Sequence, residues 1–134
     1  MYEFLGGSRM VSGRVLLVED EPNIAEAIRF LLIRDGWQVE VVSDGSAAVP
    51  AARVIRPDLV ILDLMLPGQS GIEILTALRA DPAISALPVM MLTAKGQGRD
   101  REAAERAGVS RFMTKPFSNS EMREAVRELA AQRG

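Results

Sequence analysis

Short apolar runs alternate with amphipathic stretches from residue 14 to the end of the chain. The runs are rich in Val, Leu and Ile, which is typical of strands that are buried on both faces. The pattern predicts strands at residues 14–18, 38–42, 59–62, 89–92 and 111–113, and helices at residues 22–35, 46–55, 71–80, 99–107 and 118–131. Regular alternation of this kind predicts one doubly wound α/β domain, with a parallel sheet covered by helices on both faces.

Local signals mark the boundaries of most of these helices. Pro22 stands where a first helical residue belongs, and Gly36 terminates the same helix. Ser118 and Glu121 have the spacing of a capping box. The second helix is the exception, because Pro50 is expected several residues inside it, where a proline costs ~3 kcal/mol or bends the helix.

The first twelve residues do not follow the pattern. They lack the charged and apolar regions of a secretory signal. We expect residues 1–12 to be a disordered leader or a cloning remnant, and residues 13–131 to form the domain. Whether that domain stands alone or belongs to a longer protein stays open.

The composition narrows the chemistry that is available. Among the 134 residues there is no His and no Cys, which excludes disulfides, thiolate chemistry and His or Cys metal ligands. With 16 basic and 18 acidic residues, the chain lacks the excess of positive charge that is typical of nucleic-acid-binding proteins. No apolar run approaches the ~18–20 residues that span a bilayer. We therefore expect a cytoplasmic chain that itself binds neither nucleic acid nor membrane.

Polar side chains follow four of the five predicted strands. In an open parallel sheet, sites form at the carboxyl ends of the strands, beside the point where the strand order reverses. The residues expected there are Glu19 and Asp20 after the first strand, Asp63 after the third, Thr93 after the fourth and Lys115 after the fifth. Three carboxylates, one hydroxyl and one ammonium are thus predicted to converge at one edge of the sheet.

Crowded carboxylates repel one another and need a cation. Oxygen ligands without His or Cys favour a hard ion, which points to Mg²⁺, with Mn²⁺ as a substitute. An Asp beside that ion can attack phosphorus and form an aspartyl phosphate. Phosphoryl transfer needs positioning and charge neutralisation above all, and Lys115 and Thr93 can supply an ammonium and a hydroxyl for it.

Four segments carry a family resemblance: LLVEDEP, ILDLMLPGQSG, MLTAKG and FMTKPF. In this order, with Thr93 30 residues and Lys115 52 residues after Asp63, they resemble the receiver domain of two-component response regulators, of the kind found in chemotaxis regulators. The resemblance extends over residues 14–131. It implies a flavodoxin-like (βα)₅ fold with strand order 2-1-3-4-5.

The resemblance also implies a role for each matching residue. Asp63 would be the phosphoacceptor. Metal binding would fall to Asp20 and Asp63 directly, to Glu19 through water, and to the backbone carbonyl of Met65. The remaining positions would be Thr93 and Lys115 on the phosphoryl oxygens, the small Ala94 beside them, Phe112 as the aromatic switch, and Pro116 after a cis peptide bond.

The implied partners are a histidine kinase or a histidine phosphotransfer protein, and a downstream protein of unknown identity. The domain would not act as an enzyme on other molecules, since its chemistry would be its own Mg²⁺-dependent phosphorylation and dephosphorylation. A weak or phosphorylation-dependent homodimer stays open, because residues 108–112 (GVSRF) depart from the acidic pair that is common there in regulators with a winged-helix output.

Structural alternatives accompany several of these roles. Glu21 is better explained as an acid at a helix N-terminus, which complements the helix dipole. Thr93 could bond only to the backbone, and Phe112 could be a core residue. Five of the seven methionines are expected to be packing residues: Met65, Met90, Met91, Met113 and Met122.

Other functions share the predicted architecture. A flavodoxin-like cofactor binder would need a Gly- and Ser-rich phosphate loop after the first strand, where this chain has three acids. A haloacid-dehalogenase-type phosphatase would need a second Asp at the position of Met65. A docking module without phosphorylation would not need Asp63, Thr93 and Lys115 together. A phosphate sink or relay without conformational output remains the alternative to a switch.

Overall fold

The computed structural model describes residues 13–94 and 98–133. The predicted leader, residues 1–12, lies outside the described residues. Within the described ranges the strands are β1 Gly13–Val18, β2 Trp37–Val42, β3 Leu59–Asp63, β4 Val89–Thr93 and β5 Arg111–Thr114. The α-helices are α1 Pro22–Arg34, α2 Ala48–Ile55, α3 Gly71–Ala80, α4 Gly98–Ala107 and α5 Asn119–Arg133. α5 thus continues two residues beyond the predicted domain boundary at residue 131.

The strands form one parallel sheet in the order β2-β1-β3-β4-β5, which confirms the predicted topology. β1 and β3 are neighbours in the middle of the sheet although two helices and a strand separate them in sequence. The order of connections therefore reverses between β1 and β3. At that point the loops after the two strands diverge and leave a crevice at their carboxyl ends.

Helices cover both faces of the sheet. On one face, Leu17 and Ile61 pack in a cluster with buried residues of α1 and α5. On the other face, Leu16 and Leu62 pack with buried residues of α2, α3 and α4. Successive strand residues point to opposite faces, so a strand covered on both sides must be apolar throughout. This explains the unbroken apolar runs, and β3 and β4 are buried along their whole length.

The second helix differs from its prediction. A 3₁₀ turn, Gly45–Ala47, precedes α2, so the α-helix begins at Ala48. Pro50 is therefore its third residue. A backbone N–H in the first turn of a helix has no partner within the helix, so proline removes nothing there. The expected bend or energetic cost at Pro50 was wrong because the helix starts later than predicted.

Two helices begin with reciprocal caps. The predicted capping box at Ser118 is confirmed, because the Glu121 N–H donates to Ser118 Oγ (3.0 Å) and the Ser118 N–H donates to Glu121 Oε1 (2.8 Å). Ser70 and Glu73 form a second capping box at the start of α3, which was not predicted. It fixes the start of the helix that follows the loop after β3.

Four of the five methionines that were predicted to pack are buried: Met90, Met91, Met113 and Met122. Met65 was predicted wrongly, since 71% of its surface is exposed. β3 ends at Asp63, and Met65 belongs to the loop above the sheet, outside both cores. Within the described part of the chain, no helix is both long and apolar enough to cross a membrane.

Candidate functional site

The polar strand ends meet at one edge of the sheet because backbone hydrogen bonds extend each strand into the site. The Glu19 N–H donates to the Val42 carbonyl (3.0 Å), which prolongs the β1–β2 ladder. The Lys115 N–H donates to the Thr93 carbonyl (2.8 Å), which prolongs the β4–β5 ladder. The structure therefore brings together the residues that were predicted at the ends of β1, β3, β4 and β5.

Three carboxylates form the centre of the site. Glu19, Asp20 and Asp63 each offer an oxygen, and these oxygens lie within 4.8 Å of one another. Glu19 and Asp63 are buried, with 1% and 5% of their surface exposed, whereas Asp20 is exposed. Asp20 thus stands at the mouth of the site, and the other two acids form its floor.

Lys115 supplies a cation at this floor. Its Nζ lies 3.3 Å from Asp63 Oδ2, within hydrogen-bonding distance, and 3.5 Å from Glu19 Oε1. Asp63 Oδ1 accepts a longer bond from the Met65 N–H (3.4 Å). The Lys115–Pro116 peptide bond is cis, as the resemblance implied.

One ammonium does not balance three carboxylates. Burial raises the pKa of Glu19 to about 7, and the hydrogen bond and negative charge of Asp63 add to the rise. The Glu21 N–H, which donates to Glu19 Oε2 (3.1 Å), and the Lys115 ammonium act in the opposite direction. Glu19 Oε1 is buried and accepts no hydrogen bond from the described residues.

These features fit a bound hard cation. Lys115 Nζ lies 3.5 Å from Glu19 Oε1 and forms an ion pair with it, but no hydrogen bond. A buried carboxylate oxygen without a hydrogen bond is costly, and a divalent ion would satisfy it while reducing the repulsion among the acids. The ligand atoms at the cluster are oxygens alone, which suits Mg²⁺. The acidic cluster can therefore hold a metal ion.

Thr93 and Ala94 lie at the end of β4. Thr93 is buried, and its Oγ1 donates to the carbonyl of Ala94 (3.2 Å). Ala94 is exposed and borders the same groove as Lys115. The Thr93 hydroxyl thus bonds to the backbone in this structure, on the strand that faces Asp63 across the β3–β4 pair.

Phe112 lies further from the carboxylates, on β5. Its ring is partly buried and packs against the core cluster on the α3 and α4 side. The guanidinium of Arg101 stands 5.2 Å from the centre of the ring. Sequence reasoning did not identify this contact, because it depends on how α4 is rotated over the sheet.

Gly71 is a second residue whose part in the site was missed. A Cβ there would meet the Asp63 carbonyl oxygen at 2.6 Å and the Leu64 Cα at 2.8 Å. Its own N–H donates to the Leu64 carbonyl (2.9 Å). Only a glycine lets α3 start this close to the Asp63 backbone. In the sequence, the one signal for this role is that Gly71 ends the segment ILDLMLPGQSG.

The family of the chain follows from comparison with known proteins. The family model for "Response regulator receiver domain" matches residues 15–127. The chain belongs to this family. The receiver domain is the part of two-component response regulators that interacts with histidine kinases.

Its relatives include a complete regulator and isolated receiver domains. The DNA-binding response regulator MtrA of Mycolicibacterium smegmatis is 43% identical over 114 residues, which cover 85% of this chain and 49% of MtrA. The receiver domain of the sensor histidine kinase PA1611 from Pseudomonas aeruginosa, solved with a magnesium ion in its active-site cleft, is 31% identical with a TM-score of 0.82, covering 89% of this chain and 98% of that one.

A further solved structure is the beryllofluoride-activated N-terminal receiver domain of RstA from Klebsiella pneumoniae. It is 26% identical with a TM-score of 0.81, and the match covers 87% of this chain and 97% of that chain. The present receiver domain spans about half the length of the curated relatives it matches. These relatives support the fold and the place of the domain in two-component signalling.

Proposed function

We propose that this receiver domain, residues 13–131, accepts a phosphoryl group on Asp63 in a Mg²⁺-dependent reaction. The donor is a phosphorylated histidine of a kinase or of a histidine phosphotransfer protein in the cytoplasm. The main support is the setting of Asp63, a buried carboxylate with two other acids within 4.8 Å and the Lys115 ammonium at 3.3 Å.

The acidic cluster provides the metal site. Asp20 and Asp63 would hold Mg²⁺ directly together with the Met65 carbonyl, and Glu19 would act through a water molecule. When bound, the ion neutralises charge on the carboxylates and on the phosphoryl oxygens. The exposed position of Asp20 leaves the site open toward the donor.

Asp63 is the nucleophile. One of its carboxylate oxygens forms the new bond to phosphorus as the bond from phosphorus to the donor histidine nitrogen breaks. The electron pair of the broken bond stays on the imidazole. When the Asp63 carboxylate has become an acyl phosphate, the negative charge lies on the phosphoryl oxygens, and Lys115 pairs with them. The Thr93 hydroxyl gives up its hydrogen bond to the Ala94 carbonyl and donates to a phosphoryl oxygen instead.

The same movement couples the site to a protein-binding face. Thr93 draws the start of the loop after β4 inward, and Phe112 turns into the space that it leaves. This reshapes the face made by α4, β5 and α5, which binds the downstream protein. Phosphorylation acts here as a shift between two populations, limited by its differential affinity for them.

The dependence on metal and on a histidine-type donor can be tested with phosphoramidate, a small molecule with a phosphorus–nitrogen bond. We expect intact-mass spectrometry to detect one added phosphoryl group in Mg²⁺ and none in EDTA. The variant Glu21→Gln should be labelled as the wild type is, because Glu21 is an acid near the site that lies outside the carboxylate cluster. Labelling that persists in EDTA would contradict the proposed role of the acidic cluster.

A further inference from the structure

Arg101 connects α4 to the aromatic residue on β5. Its guanidinium lies 5.2 Å from the centre of the Phe112 ring, which is within the range of a cation–π contact. Arg101 also forms an ion pair with Glu105, in which the nitrogen–oxygen distance is 3.8 Å and both side chains are more than half exposed. Exposed pairs at that distance contribute little, so the ring is the better-defined partner of Arg101.

The position of the ring makes this contact relevant to the site. In the β4–β5 pair, Phe112 lies opposite Met91 and Thr114 lies opposite Thr93. Alternation along a strand places Met91, Thr93 and Phe112 on the same face of the sheet. α4 covers that face through Ala104, which is fully buried and lies one turn after Arg101. Arg101 thus reaches the ring from the helix that covers the surroundings of Thr93.

We propose that Arg101 is a positioning residue that stabilises the partly buried orientation of Phe112, and so opposes the switch of the domain to its phosphorylated form. This role depends on the switching function proposed above for Phe112. If the ring turns toward Thr93 on phosphorylation, it leaves the guanidinium. The contact is then present in one state and absent in the other, which is the condition for a contact to bias a two-state equilibrium.

Beryllofluoride with Mg²⁺ is the probe, as an analogue of the phosphoryl group on Asp63. Removing an exposed cation–π contact corresponds to a change of about two- to five-fold in an equilibrium. Arg101→Ala should therefore bind beryllofluoride about two- to five-fold more tightly than the wild type. Arg106→Ala is the matched control, since it removes the same charge from an exposed position on α4 and should bind as the wild type does.

A double-mutant cycle with Phe112→Leu identifies the ring as the cause. In the Phe112→Leu background, Arg101→Ala should no longer change the affinity, and Glu105→Gln in the wild-type background should not reproduce the gain. Unfolding followed by Trp37 fluorescence measures any general loss of stability separately, and aromatic NMR of Phe112 without beryllofluoride should show a changed ring environment in Arg101→Ala.

Three results would overturn this role of Arg101. They are unchanged or weaker beryllofluoride binding by Arg101→Ala, an equal gain in Arg106→Ala, and a gain that persists without the Phe112 ring. Failure of the wild-type protein to bind beryllofluoride is a different result, because it removes the proposed phosphoacceptor function itself and the role of Arg101 with it.

Discussion

Glu19, Asp20 and Asp63 differ in burial although they share one cluster. Glu19 and Asp63 are buried and Asp20 is exposed. The order of these residues along the sequence does not show this difference, because it follows from where β1 and β3 end beneath the loops. Glu19 is a buried acid with a raised pKa, and its Oε1 accepts no hydrogen bond from the described residues, so the cluster suits a bound cation in addition to Lys115. An exposed acid beside it can act as a direct ligand at little cost in desolvation.

We predict that Asp20→Asn weakens Mg²⁺ binding by about tenfold or more. Loss of a residue that only supports a metal ligand already costs about that much, and Asp20 is expected to be a ligand itself. Glu21→Gln should change it little, because Glu21 is outside the cluster. The readout is the Mg²⁺-dependent gain in the free energy of unfolding, which reaches about 2.7 kcal/mol at a hundredfold excess over Kd. Trp37, the single tryptophan of the chain, reports unfolding because it is buried. A large loss in Glu21→Gln with none in Asp20→Asn would reverse the ligand assignment.

The elements of the fold could be predicted from the sequence to within a few residues, and the reason is physical. Strands such as β3 and β4 are buried on both faces, so their apolar runs extend along the strands up to the last residue, Asp63 or Thr93. The start of α2 could not be predicted, because the 3₁₀ turn before it has no apolar period of its own. The carboxylate, hydroxyl and ammonium at the strand ends were predictable, since parallel strands bring their carboxyl ends together.

Contacts that depend on side-chain direction and on helix rotation could not be predicted. The ring contact of Arg101, the exposure of Met65 and the close approach of Gly71 are of this kind. Each results from the three-dimensional packing of one element against another. Periodicity shows that an element has an inner and an outer face. It does not determine the rotation of a helix closely enough to show which side chains are in contact.

At the scale of the element, the start of α3 should be sensitive to small changes. Gly71→Ala places a methyl group 2.6 Å from the Asp63 carbonyl oxygen. We predict a loss of about 1–3 kcal/mol in the free energy of unfolding, the usual cost of overpacking, together with slower phosphorylation because the Asp63 backbone must shift. Urea unfolding and labelling rates measure the two effects.

Ser70→Ala is the matched control for that variant. It removes the cap of the same helix, with an expected loss of about 1 kcal/mol, but it adds no atom near Asp63. Its labelling rate should therefore equal that of the wild type. If Gly71→Ala proved as stable and as reactive as the wild type, the close approach of α3 to Asp63 would not matter for stability or for phosphorylation.

For the molecule as a whole, the question is whether the site and the α4–β5–α5 face change together. The two are joined by the Lys115 and Thr93 backbones and by the shared sheet face of Thr93 and Phe112. Part of the face is held by ion pairs, such as Arg111 with Glu128 at 2.7 Å. Exposed ion pairs of this kind contribute at most about 1 kcal/mol, so they do not prevent a rearrangement.

We predict that beryllofluoride with Mg²⁺ shifts amide NMR signals of this face, at residues 99–124, as well as those around Asp63. The change should be a population shift with a coupling of about 1–3 kcal/mol, and not a new fold. Signals that move only in the loops around Asp63 would mean that no switch reaches the face. The domain would then serve as a phosphate sink or relay.

Acceptance of a phosphoryl group by Asp63 is tested most directly by intact-mass spectrometry after incubation with acetyl phosphate and Mg²⁺. We predict that the wild-type chain gains one phosphoryl group and that neutral hydroxylamine removes it, as it removes acyl phosphates but not phosphate esters. Asp63→Asn should gain none. Equal labelling of Asp63→Asn, or a label on the wild type that resists hydroxylamine, would contradict the assignment and place the phosphoryl group on another side chain.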